Sequence, residues 1–417
     1  MKKIVFILSI CISFAFGSNA TIEVIKKVDA MPSIAVEDGS ITYDETFRLE
    51  FFKTLVADLN VLSLFNVDRR YIKNHYNNTN VAVENNKMDY VFRYKLSQND
   101  DGSLHVETIL LKEKENVFTK TYKIPNKNIF MFLSHAIAYD INNFMGESSV
   151  EWMKRKVIFS RVTGAKQSEI ILADYTLNYQ HVILKDGLSL FPKWANKEQT
   201  GFYYTSMDNG NPTLKHVDLK TGKSTSLISS DGMLVCSDVN ADGSKLLLTM
   251  APGGQPDIYE FDVATRKTKK LTNYSGIDVS GQYLNKDSIV FVSNRLGYPN
   301  IFTKNIKSGI VEQMVYYGQS NSSCSANGDY IVYKARESSS AFSTNTFNLH
   351  LISTKTDFIR RLTATGVNEF PRFSKDGDAV LFIKDYKAQS SLGVIRLNHN
   401  KNFLFPLKSG RIQSMDW

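Results

Sequence analysis

Apolar and polar positions along this chain fall into two regimes, and the second is periodic. Its clearest unit is FPRFSKDGDAVLFIK, Phe370 to Lys384: a short strand, a turn at Lys375-Asp376-Gly377, and a strand of alternating apolar residues. Asp-Gly between two apolar runs is a strong hairpin signal, because glycine takes the positive φ the turn needs. Weaker copies begin at Phe191, Val235, Val279 and Asn321. The apolar or small residue before each turn falls at Trp194, Val239, Leu284, Cys324 and Phe373. That recurrence of roughly 45 residues is the length of one four-stranded propeller blade. The first unit, from Val157, lacks its leading strand, while the chain ends RIQSMDW with Trp417 in the place of Trp194. These last residues are expected to supply the missing strand, closing a six-bladed ring with no bare sheet edge.

Ahead of the array the pattern is helical and mixed. Thr42 to Leu62 reads as an amphipathic helix with a Thr42-x-x-Glu45 capping box and an apolar stripe at Phe47, Phe51, Leu55, Leu59 and Leu62. Ser33 to Val36 reads as a core strand, and a hairpin follows from Asp89, turning at Asn99 to Gly102. A strand ending at Pro125 precedes a second helix, whose buried face is expected at Ile129, Phe132, Leu133, Ala136, Ile137, Ile141 and Phe144. Gly146 stands at its C-terminal cap. His135, beside that stripe, is expected to be a hydrogen-bonded structural residue. The fold predicted is an all-β six-bladed propeller over residues 151–417, preceded by a small α+β domain over residues 21–150.

Met1 to Ala20 carries Lys2-Lys3, an apolar run from Ile4 to Phe16 and small residues at Ser18 and Ala20. It predicts a secretory signal cleaved after Ala20, too short in its apolar run to span a bilayer. Ile10 ahead of Cys11 argues against lipidation there. Composition adds little. Of 417 residues 42% are apolar and 22% charged, and the net charge of +8 is dispersed apart from a short run at 266–270. Without a basic stripe no nucleic-acid partner is expected. Cys236 and Cys324 are expected as buried free thiols, and no CxxC, HxH or HExxH occurs, so no metal or cofactor is expected.

Three stretches carry a family likeness. LSHAIAYDINNFMGESSVEWMKRKVIFSR (Leu133 to Arg161) resembles an inter-domain segment that runs from an Ala-His helix into an Arg-x-x-Tyr-x-Ser strand. VADLNVLSLFNVDRR (Val56 to Arg70) resembles an Asp-Leu-x-x-Ser-Gly-x-Phe stretch, with Leu64 where glycine is usual. FPRFSKDG and FPKWANKE resemble a Pro-x-Trp-Ser-Pro-Asp-Gly repeat, from which Val279 to Asp287 departs by lacking the proline and Asn321 to Gly328 by lacking the aromatic. Together they resemble the TolB family, periplasmic propeller proteins of the Tol–Pal system, over almost the whole mature chain. The resemblance implies a scaffold, not a catalyst, whose propeller mouth receives the lipoprotein Pal; the chain is expected to be a monomer. It also implies an N-terminal arm, here Thr21, Ile22, Glu23, Val24 and Ile25, that engages the C-terminal domain of TolA. Maintenance of the outer membrane during constriction, and capture of the same mouth by colicins, come with it.

The mouth can be placed from strand direction alone. Loops before each leading strand and after each second strand share one face of the ring. The first set holds Ser189, Leu190, Met233, Ile277, Asp278, Ser320, Asn321, Asn368 and Glu369. The second holds Arg161, Asp208, Asn209, Gln255, Arg295, Tyr298, Arg336 and Asp385. Arg295, Tyr298, Asn368 and Glu369 are expected to be the strongest contacts. The competing reading is a secreted propeller enzyme. A peptidase would need a Gly-x-Ser-x-Gly elbow, which is missing. A lyase or glycosidase would need converging acids, for which Asp208, Asp257, Asp278, Glu369 and Asp385 are the candidates. No catalytic residue is assigned.

Overall fold

The computed structural model describes residues 31–40, 42–185, 187–207, 210–318, 320–337 and 346–417. Residues 1–20, read as a secretory signal, and Thr21–Ile25 lie outside the described residues. Strand β1 (Ser33–Asp38) runs parallel to β2 (Asn66–Val67), β3 (Ile72–Lys73) and β4 (Tyr90–Gln98). Antiparallel β5 (Leu104–Lys112) and β6 (Glu115–Ile124) extend the sheet from β4. Helices α1 (Glu45–Leu62) and α2 (Phe130–Phe144) pack together over it. The α1 stripe is buried as read.

Three local expectations need correction. The cap of α1 is Asp44, not Thr42: its carboxylate accepts the Phe47 N–H at 2.8 Å, so the helix starts two residues later. Phe144 is exposed, its ring resting on Phe118 at the end of the stripe. The repeat positions in the fourth and fifth blades are Tyr283 and Ala326 rather than Leu284 and Cys324, which tightens the period to 43–47 residues. A bulge in each leading strand shifts the pairing, so the apolar pattern alone misplaces the register.

Six four-stranded blades follow. Their leading, innermost strands are Arg411–Asp416, Ser189–Trp194, Leu234–Val239, Asp278–Asn285, Asn321–Asn327 and Val367–Phe373, for blades one to six. The C-terminal strand pairs antiparallel with Val157–Gly164 and completes blade one, as the chain's ending predicted. Ile412 and Met415 on it are buried, and the Trp417 ring N–H donates to the Phe373 carbonyl of blade six. Among the described residues no helix is long and apolar enough to cross a membrane.

The α+β layer packs on blades one and six through one continuous apolar core. At its centre is a fully buried polar node. His135 of α2 places Nδ1 2.9 Å from Asp58 of α1 and Nε2 3.2 Å from Asp174, which follows the third strand of blade one. Asp58 also accepts from Ser134 at 2.6 Å and from the Tyr175 hydroxyl at 2.6 Å. With a carboxylate at each ring nitrogen, the imidazole is a doubly protonated cation. Burial alone would depress its pKa; the Asp58 charge and the bonds to Asp174 and Asp58 outweigh that and raise it to about 9. Arg396 of blade six adds a second tie, donating to the Leu62 carbonyl at the C-terminus of α1 and to Asp378.

Two outcomes follow. Deleting Arg411 to Trp417 removes buried Ile412 and Met415, worth about 3–6 kcal/mol, and should lower the melting temperature by about 5–10 °C or more; an unchanged melting curve contradicts the closure. Because the His135 pKa is raised on folding, its stabilisation is complete below about pH 6.5 and is lost as pH rises through about 9. Urea unfolding from pH 6.5 to 9.5 should show a fall of up to about 3 kcal/mol, and His135→Gln should flatten that slope.

Candidate functional site

The ladders fix which loops share a face. Ser189 pairs with Ser206, Leu234 with Met250, Asp278 with Ser293, Asn321 with Ala335, and Val367 with Asp385. The start of each leading strand therefore lies beside the end of its second strand, and these rims form one mouth. The α+β layer docks at the other ends of the strands, through Asp174, Asp378 and Arg396. It covers part of the face bearing the Asp-Gly turns and leaves the mouth open.

Bulges shape the mouth. Each of the six leading strands is bulged just below the rim. Phe191, Ser280, Ser323 and Phe370 sit there at positive φ, between 47° and 56°. For such residues this backbone costs of order 1–3 kcal/mol each, so the ring holds them against strain. Side chains of the preceding blade do part of that. The Phe191 N–H donates to Ser414 at 3.0 Å, Ser280 N–H to Thr249 at 3.0 Å, Tyr283 N–H to Asp238 at 2.9 Å and Phe373 N–H to Ser325 at 3.1 Å. Around the axis this leaves a pit of about 220 Å³, opening among Met233, Phe191 and Phe370.

The residues read from sequence divide by what their side chains do. Asp278, Asn321 and Asn368 are fully buried. Asn321 Nδ2 donates to Asn300 Oδ1 at 3.1 Å and Asn368 Nδ2 to the Phe347 carbonyl at 2.8 Å, so both pin one blade to the next. Asp278 holds Arg295, whose Nη2 lies 3.1 Å away and whose guanidinium stacks within 5.2 Å of the Tyr274, Phe291 and Phe302 rings. Two of the four expected strongest contacts, Asn368 and Arg295, thus face inward; the polar tips are internal braces. Ser189 is buried in a mutual bond with Ser168, and Gln255 donates to the Tyr274 and Gly276 carbonyls. Arg161 pairs with Glu169, Glu369 with Lys334, and Asp385 with Arg411. Leu190, Tyr298 and Ser320 are partly exposed at the rim, and Arg336 is exposed there. Asp208 and Asn209 lie outside the described residues. Of the acids considered for catalysis, the four among the described residues are each paired with a cation: Asp257 with Lys270, Asp278 with Arg295, Glu369 with Lys334 and Asp385 with Arg411.

Several large apolar and aromatic side chains are accessible at the mouth beside Arg336. Met233 and Ile277, both anticipated, are half exposed. Leu296, Tyr316, Tyr317 and Tyr386 stand on the same face and were not anticipated. Tyr316 and Tyr317 are 73% and 72% exposed in the link into blade five. Large side chains left in water beside one another in sequence are the signal that could have found them. Met233, Ile277, Leu296, Tyr316 and Tyr317 span three consecutive blade junctions. Among the described residues no group of three or more histidine, cysteine, aspartate or glutamate side chains is placed to hold a metal ion.

Residues 149–417 match the family model described as the TolB beta propeller domain. The Tol-Pal system protein TolB of Wolinella succinogenes is 48% identical over the full length of both chains. That of Campylobacter jejuni is 44% identical, again over both full lengths. The chain belongs to the TolB family. A crystal structure of TolB from Acinetobacter baumannii, 22% identical, superposes with a TM-score of 0.75 over 93% of this chain and 97% of that one, so the fold is shared. The family assignment makes the chain a Tol–Pal system component, as the sequence resemblance implied, and the fold matches the one read from the repeats.

The bracing role of the buried amides is measurable. Asn368→Ala removes its donors to Phe347 and Asn348 and should cost about 1–3 kcal/mol in urea unfolding. Stability equal to the parent protein would contradict that bracing role.

Proposed function

We propose that this TolB-family chain is a non-catalytic periplasmic scaffold of the Tol–Pal system, gripping Pal at the open mouth of the ring. The observation that carries the reading is the line of exposed Met233, Ile277, Leu296, Tyr316 and Tyr317 across three junctions of the uncovered face. Methionine and aromatic side chains are enriched in protein interfaces, and tyrosine supplies anchors that dominate binding energy. The paired state of the described acids supports a binding surface over a lyase or glycosidase site. Residues Thr21 to Ile25, at the start of the exported chain after cleavage at Ala20, engage the C-terminal domain of TolA by adding to its sheet edge. Bridging these two partners couples the outer membrane to the constricting envelope, and a colicin that enters through the system competes for the same mouth.

Calorimetry with purified Pal tests this. Tyr316→Ser with Tyr317→Ser should weaken binding by about tenfold or more, whereas Phe358→Ser on the opposite face should bind like the parent. Removing Thr21 to Ala30 should abolish TolA binding and leave Pal binding intact. Parent-like affinity of the tyrosine variant, with weakened binding from the opposite face, would put Pal on the wrong side of the ring for this reading.

A further inference from the structure

We propose that the axial pit is itself a binding site for a small monocarboxylate with an apolar, ring-sized body. The pit has a volume of about 220 Å³ and opens on the mouth. An apolar cavity of about 150 Å³ holds a benzene ring, so an aromatic ring with a short acid arm fits. The walls are mainly apolar, through Phe191, Val235, Val279, Phe370 and Met415, with serine, threonine and glutamine side chains between them. Two of these, Phe191 and Phe370, are the bulge residues held at positive φ. Bulges beside a site re-aim side chains, and here they turn two rings toward the axis.

The polar end is Arg372. Its side chain is 16% exposed and lines the pit. It makes no hydrogen bond among the described residues, and its Nε is buried without a partner. The nearest carboxylate oxygen, on Asp416, lies 3.6 Å away. That acid is engaged elsewhere: Lys193 lies 3.0 Å from Oδ1, and the Trp194 N–H donates to Oδ2 at 3.0 Å. Asp238 is likewise held, by Lys193 at 3.3 Å and the Tyr283 N–H at 2.9 Å. The four charges balance, so the pit exerts no general pull on anions. What it offers is directional: a planar fork of donors that makes no hydrogen bond among the described residues and is held by one long ion pair, to Asp416 at 3.6 Å, beside mainly apolar walls. A carboxylate matches that fork with two parallel bonds, and a buried donor without a partner rewards the group that supplies one. Nothing in this depends on Pal occupying the rim above.

Phenylacetate is the probe, titrated by calorimetry into the full chain with no partner present. It should bind with a dissociation constant below about 1 mM, and phenylacetamide, of the same shape, about tenfold more weakly. Arg372→Gln should bind the two alike. Because Cys236 and Cys324 also line the pit, saturating phenylacetate should slow their modification by methyl methanethiosulfonate, read by peptide mass spectrometry. That arm, with the acid-to-amide ratio of the parent protein, decides the question even if the arginine variant fails to fold. Absence of both heat and cysteine protection up to about 10 mM probe, equal binding of acid and amide, or an arginine variant that keeps the preference overturns the proposal.

Discussion

A single imidazolium between two buried carboxylates fixes how this protein is put together. His135 draws Asp58 of one helix and Asp174 of blade one to itself where all three side chains are out of reach of water. An unpaired charge there would be prohibitive, so the three groups stand or fall together. The geometry has a functional consequence. Because Asp174 lies at the turn-side end of its strand, the α+β layer must dock on that side, and it leaves the mouth uncovered.

The ring itself depends on a second constraint, repeated six times. Closure by the C-terminal strand leaves six leading strands converging on one axis, where a bulge relieves each one. The N–H groups freed by several of these bulges are taken by side chains of the preceding blade, including Ser414, Thr249, Asp238 and Ser325. Blade contact is therefore directional as well as apolar. It aligns the rims closely enough for residues from three junctions to form one surface.

Much of this was legible in the sequence. Turns such as Asp242-Gly243 and Asp376-Gly377 marked hairpins because the backbone there leaves little choice, and the recurrence of about 45 residues marked the blades; RIQSMDW marked a long-range closure because it repeats the leading-strand pattern of FPKW. The failures are long-range or polar. His135 was read correctly as structural, but its partners lie 77 residues before it and 39 after it, where no spacing rule reaches. Asp278, Asn321 and Asn368 looked like surface tips because they are polar and lie at strand starts; they are buried because the two amides donate to backbone carbonyls at blade junctions and the Asp278 carboxylate pairs with Arg295. Tyr316 and Tyr317 went unnoticed in a link between blades, since exposure is decided by the packing of both neighbours.

The central claim is that the uncovered face of the ring, and not the turn face, meets the partner. Hydrogen–deuterium exchange of the full chain, with and without saturating Pal, tests it most directly. Slowed exchange is predicted in residues 230–234, 274–278, 294–299 and 315–318, with the Asp-Gly turns at Gly243 and Gly377 unchanged. Slowing confined to those turns, with the four mouth segments exchanging as in the free protein, would contradict the account.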